Sequence, residues 1–272
     1  MKCVSMRGDK KFFQVRQIMP RPLARFIKEM NTVEIESLLA REAPLFLPVG
    51  TIEAHGRHLP VGTDTICAEK LAEELSIDLQ GAVAPSFEYG LTNMLAQTSP
   101  ASFFPEEMFE KFFEQIVENF YRQGFKTIII INGHGGNCDA LKRLVRRISR
   151  RQPIAISVIH WWMLSEKFVE PVFNTSPGGH AAIEETAVML HFCPTLVDPD
   201  NYNPAADDHV PDEGLLLYPP PGEVLLHQPG EGQPMFDCGK ASDFVKLLLA
   251  DLTARLQHWL NSINRLQGGL RP

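Results

Sequence analysis

Short, mostly apolar runs alternate along the chain with longer segments in which apolar residues recur every three or four positions. Four runs, Leu45–Val49, Ala82–Phe87, Thr127–Ile131 and Ile154–Ile159, are bounded by Gly, Pro or polar residues. Continuous runs of that kind suit strands covered on both faces, as in a parallel sheet. The intervening segments Thr65–Leu75, Pro105–Gln123, Asn137–Arg151 and Ala181–Phe192 carry helical spacing. In the second, Met108, Phe109, Phe112, Ile116, Val117 and Phe120 form one stripe and Gly124 is a stop signal; in the third, Leu141, Leu144, Val145 and Ile148 are expected inside. The alternation predicts an α/β fold, a three-layer α/β/α sandwich with a mainly parallel central sheet.

The texture changes from Pro194 to Gly239, where nine of the 21 prolines fall. This stretch reads as a long ordered loop with room for a hairpin, and a loop of that length in a compact domain is usually functional or an interface element. The chain closes with an amphipathic helix, about Lys240 to Asn264, through Phe244, Leu247, Leu248, Leu252, Leu256 and Leu260. No internal repeat or linker divides the chain, so residues 20–272 are expected to form a single domain. Residues 1–19 carry Lys2, Arg7, Lys10 and Lys11 without an apolar core behind them, which fits a partly disordered leader rather than a signal peptide.

Composition narrows the partners. The 272 residues suffice for a large core without disulfides. With 26 basic and 33 acidic residues the net charge is −7, which argues against nucleic acid as the main partner. The basic run Lys142–Arg151 is a local exception on an expected helix, read as a solvated or partner-facing surface. Five cysteines, an odd number with no CxxC pair, argue against a disulfide framework and fit a reducing cytoplasm. No stretch approaches 18 apolar residues, so no membrane helix is expected.

The chemistry gathers on two Gly-rich loops. Glu53-Ala54-His55 follows the first expected strand and Asp64 comes nine residues after His55. Residues two apart in extended chain point the same way, so Glu53 and His55 can share a cavity, and Gly56, Pro60 and Gly62 shape the loop that returns Asp64. Asp64 also fits a plain helix N-cap. His134, in Asn132-Gly133-His134-Gly135-Gly136-Asn137, follows the third strand. Ligands in open α/β sheets bind beyond the carboxyl ends of strands, so both loops are expected at one edge. A third patch, His180 to Thr186, opens a helix; His180 and Glu185 can reach the same edge, while Glu184 fits an acid favoured in a first turn. Mixed carboxylate and imidazole ligands suit Zn, Mn or Fe(II), and such ions support hydrolysis.

Leu47-Pro48-Val49-Gly50-Thr51-Ile52-Glu53-Ala54-His55-Gly56, His58-Leu59-Pro60 and Gly62-Thr63-Asp64 together resemble the signature of the creatininase (creatinine amidohydrolase) family. Asn132–Asn137 is similar to its second motif and His180–Thr186 to its third. The resemblance implies a three-layer fold, two divalent metal ions (Zn, Mn or Fe) and hydrolysis of C–N bonds in amides, cyclic amides or formamides. It implies that Glu53 and His134 serve one metal, His55 the other, and Asp64 both. His180 matches a proton-transfer histidine and Trp162 an aromatic that closes over a small-molecule substrate, a position that a core Trp also explains. Arg57 is a candidate contact for an anionic substrate, or simply an exposed loop arginine, and Asn137 is expected to cap the helix after His134. Members are typically cytoplasmic homo-oligomers, often hexamers. One departure matters: creatininase proper carries a metal-binding Glu where this chain has Gly136, which points away from creatinine and leaves Glu185 as the candidate replacement. A dinuclear phosphoesterase and a non-catalytic metal-binding protein are the rival readings.

Overall fold

Side-chain alternation along the strands decides the architecture. The computed structural model describes residues 26–92, 95, 100–101, 104–209, 217 and 219–269; the leader expected at 1–19 lies outside them. Four strands, β1 (Leu45–Val49), β2 (Ala82–Val83), β3 (Thr127–Asn132) and β4 (Ala155–His160), pair in parallel in the order β2-β1-β3-β4. Phe46, Ile129 and Ile131 enter one apolar cluster, and Leu45, Leu47, Val49, Ile128 and Ile130 enter another on the opposite face.

Eight helices are described: α1 (Thr32–Ala40), α2 (Thr63–Asp78), α3 (Glu106–Gln123), α4 (Cys138–Ser149), α5 (Trp161–Ser165), α6 (Val169–Phe173), α7 (Ile183–Phe192) and α8 (Cys238–Gly269). Leu38 of α1, Phe109 and Phe113 of α3 and Leu141 and Leu144 of α4 fill the second cluster. Leu71 and Leu75 of α2, Val188 of α7 and Phe244 and Leu248 of α8 fill the first. The sheet is therefore sandwiched between two helical layers, as the alternation of elements predicts.

Several local expectations change. Strand β2 stops at Val83: Ala84 N still donates to Phe46 O (2.8 Å), but Pro48 of β1 has no N–H to return the next bond, and Phe87 rejoins β1 by a single bridge to Val49. Helix α3 is rotated from the expected stripe: Phe109, Phe113 and Val117 are buried, while Met108 and Phe112 are exposed. Gly124 ends it in a left-handed conformation at φ 114°. Helix α1 was not anticipated, although Asn31 and Glu34 form a capping box that the pattern Asn-x-x-Glu announces.

The basic run of α4 faces a neighbour. Arg143 pairs with Glu106 and Glu110, Arg147 with Glu110 and Glu114, and Arg151 with Glu114, all three acids on α3. Among its described residues the 194–239 segment shows no hairpin: β5 (Asp208–His209) and β6 (Leu225–Leu226) pair in parallel, and Leu225 bridges His180 antiparallel. That bridge carries the segment to the edge of the main sheet. Among the described residues, no helix is long and apolar enough to cross a membrane.

Candidate metal centre

In register, Val49, Asn132 and His160 lie side by side at the carboxyl ends of β1, β3 and β4. The loops that follow β1 and β3 therefore open at one edge. Asn137 holds them together: its Oδ1 accepts from Leu91 N (3.0 Å) and its Nδ2 donates to Gly50 O and Asn132 Oδ1 (both 3.3 Å). The expected side-chain cap from Asn137 is not made, because that side chain serves three strand-end segments instead. Nor is Asp64 an N-cap; Gly62 holds that position and Asp64 lies inside the first turn of α2.

These constraints bring Glu53, His55, Asp64, His134, His180 and Glu185 into one cluster. The Oδ1 atom of Asp64 is 2.8 Å from His55 Nε2, and Oδ2 is 3.0 Å from His134 Nδ1. Glu53 Oε1 lies 3.2 Å from His134 Nδ1 and 3.5 Å from His180 Nδ1. Glu185 Oε2 lies 3.7 Å from His55 Nε2 and accepts from Ala181 N (2.7 Å). Glu53–Asp64–His134, His55–Asp64–Glu185 and Glu53–His55–His180 are three groups whose ligand atoms lie within 4.8 Å of one another.

The second nitrogen of each imidazole is committed to backbone. His55 Nδ1–H donates to Glu53 O (3.2 Å), His134 Nε2–H to Leu91 O (3.0 Å) and His180 Nε2–H to Ala54 O (2.7 Å). In the neutral imidazoles, the remaining nitrogens then aim lone pairs at carboxylate oxygens. Two lone pairs at that separation repel unless a proton or a cation lies between them.

The proton affinities say the same. Burial works to lower His55, but Asp64, Glu185 and Glu53 outweigh it and raise it to about 10. Burial likewise opposes His134, and Glu53 and Asp64 carry it well above its ordinary value. Asp64, despite burial, is held well below the usual carboxylate range by His55 and His134. Glu185 is pushed up to about 8 by burial, with Asp64 and Glu53 adding to it. Asp64 Oδ2, buried, has no hydrogen-bond partner. This donor set fits divalent cations: three carboxylates share a buried volume with imidazoles whose tautomers are already chosen.

Gly136 also acquires a reason. A Cβ there would collide with the Leu91 carbonyl and the His134 ring. A glutamate at this position is incompatible with the bond that orients His134, whereas Glu185 reaches the cluster from α7.

A cavity of about 240 Å³ opens on the cluster, lined by Glu53, His134, His180, Glu185 and Gly136 together with Leu91, Leu95, Trp162, Leu225 and His227. Trp162 lines it, while its neighbour Trp161 is the buried core residue. Arg57 is not brought in; it is exposed and borders a separate groove formed with Asp200–Asn203 and Pro221–Val224. Sequence reasoning missed His227, Leu225 and Leu91. Only the unusual length of the Pro-rich loop hinted at the first two.

Residues 28–234 match the model of the family described as creatinine amidohydrolase. The chain is 24% identical over 220 residues to a 3-dehydro-scyllo-inosose hydrolase of Thermotoga maritima, covering 74% of this chain and 69% of that one. It is 24% identical over 196 residues to the creatinine amidohydrolase of Pseudomonas putida (64% and 74% covered), and 25% over 186 residues to a mycofactocin precursor peptide peptidase of Mycobacterium tuberculosis (63% and 67%). Among solved structures, a creatininase superposes with a TM-score of 0.73 at 18% identity, over 86% of this chain and 97% of that one. A manganese form (TM-score 0.71, 19% identity, 86% and 98%) and a Zn–Zn form of a mutant (0.69, 19%, 86% and 98%) share the fold.

Proposed function

The chain belongs to the creatininase family, and from that premise we propose that it is a metal-dependent amidohydrolase cleaving a C–N bond of a small amide, cyclic amide or formamide. One observation carries the reading: buried Asp64 turns its two oxygens to two different imidazoles, each with a further carboxylate beside it. Glu53, Asp64 and His134 would hold one divalent ion, and His55, Asp64 and Glu185 a second, with Asp64 common to both. Zn, Mn and Fe(II) suit this mixed set. When bound, such ions acidify water and polarise a carbonyl.

The chain's own groups supply positioning and proton transfer. The carbonyls of Glu53 and Leu91 fix which nitrogen of His55 and His134 faces the cluster. His180 is anchored at Nε2–H by Ala54 O, so Nδ1 is the atom that takes a proton and returns it to the leaving nitrogen as the C–N bond breaks. Burial first, and then the charge of His55, lower the His180 pKa, so the imidazole starts neutral and able to accept. Trp162 stands on the cavity wall where it can cover a bound substrate and exclude water.

Among the described residues no Lys or Arg lines the cavity, which favours an amide over a phosphate ester. The test is metal-stripped protein reloaded with Zn, Mn or Fe(II) and assayed against amides, cyclic amides, formamides and phosphate esters. Metal-dependent amide cleavage is expected, and Asp64→Asn should abolish it. Turnover of phosphate esters alone, or full activity in the variant, overturns the reading.

A further inference from the structure

The relatives' names span a polyol-derived ring, a cyclic amide and a peptide, so the substrate class has to be sought in this chain's own cavity. Its polar groups lie at one end: Glu53, His134, His180 and Glu185, all in the metal-binding cluster. The rest of the described lining is Leu91, Leu95, Leu225, Trp162 and three glycines, with Leu91 and Leu225 adjoining the cluster through backbone bonds to His134 and His180. His227, exposed, is the remaining polar side chain of the lining and comes from the segment that Leu225 stitches to His180.

We infer that the substrate is a small neutral amide or formamide whose non-reacting part is apolar, packed against Leu91, Leu95, Leu225 and Trp162. This rests on the amidohydrolase reading and narrows it. A charged or polyhydroxylated arm lying against these leucines loses its water and meets, among the described residues of the lining outside the cluster, no polar side chain but His227, which is costly. An aliphatic or aromatic arm gains by leaving water, and its flat or branched surface suits a lining of leucines and an indole. The volume of about 240 Å³ lies below the roughly 300–1,000 Å³ typical of pockets for drug-sized ligands, which limits the substrate to a compact molecule. His227, exposed and outside the metal-binding groups, becomes a specificity residue and not a member of the reacting cluster.

The experiment uses metal-loaded full-length protein and a matched series of primary amides of equal size: one with an apolar arm, one with a carboxylate on the arm, and one polyhydroxylated. Both kcat/KM and calorimetric Kd are measured. The apolar amide is expected to lead in both, by at least about tenfold, the lower end of what one hydrophobic group contributes to discrimination. His227→Arg, at an exposed position that tolerates substitution, is expected to raise kcat/KM for the carboxylated amide relative to the apolar one. Preferred turnover or tighter binding of the carboxylated or hydroxylated amide overturns the inference and leaves the amidohydrolase reading standing. Preferential binding of the apolar amide without hydrolysis of any amide does the opposite.

Discussion

Asp64 is the residue on which the centre depends. Its two oxygens face two different imidazoles, and it is almost wholly buried. Asp64→Asn replaces one oxygen by a donor facing an imidazole. Loss of kcat/KM beyond the roughly 10–100-fold seen for residues that only support a ligand is expected, together with loss of bound metal by elemental analysis. The raised proton affinities of His55 and His134 give a second expectation. In the metal-free protein at neutral pH both carry protons that a cation must displace, and Glu185, pushed up to about 8, carries another, so loading should release about three protons. Calorimetry in buffers of different ionisation enthalpy measures that number; release of none means that the cation does not bind these imidazoles. Gly136 was readable in sequence only as a missing ligand. The close approach of Leu91 O and the His134 ring explains why nothing larger stands there.

Between elements, two kinds of polar contact do unequal work. The arginines of α4 bridge the glutamates of α3 near the surface, where ion pairs contribute little. Arg147→Met should therefore shift stability by about 1 kcal/mol or less, and less still in high salt. Asn137 is buried and serves Leu91, Gly50 and Asn132 together. Asn137→Ala leaves Leu91 N and Gly50 O unpaired, and about 1–3 kcal/mol should be lost, read from denaturant midpoints, with weaker metal binding because the loops carrying Glu53 and His134 loosen. Equal effects for the two variants would contradict this account. From sequence, Asn137 looked like an ordinary cap and the basic run like a solvated or partner-facing surface. Neither reading could foresee which segment the fold would place opposite.

At the scale of the molecule, His58 links three regions. Its Nε2–H donates to Ala181 O (3.1 Å), and its ring packs against Tyr202 and Phe236 from the Pro-rich segment. Burial, aided by His55 and His180, lowers its pKa to about 4. The unfolded chain keeps the ordinary value near 6.5, so between those limits the unfolded state binds more protons and stability rises with pH. The contribution is complete above about pH 6.5 and lost as pH falls toward 4, on the order of 3 kcal/mol in all. Thermal melts of metal-free protein across that window should show the slope, and His58→Gln should flatten it; an unchanged slope in the variant would refute the assignment.

The sequence by itself determined the sandwich and the identity of the cluster. Apolar runs buried on both faces leave few alternatives to a covered parallel sheet, and Glu53, His55 and His134 follow closely on the ends of β1 and β3, with Asp64 at the start of the helix that the first loop leads into, so local geometry sends them to one edge. What the chain could not announce depends on contacts between distant segments. Asn137 ties Leu91, Gly50 and Asn132 together instead of capping α4, and Leu225 and His227 reach the cavity only because β6 pairs beside His180. Arg57, near the ligands in sequence, is turned to another groove. Proximity along the chain fixes which residues share a loop, but the direction a side chain takes, and what stands opposite it, are decided by packing.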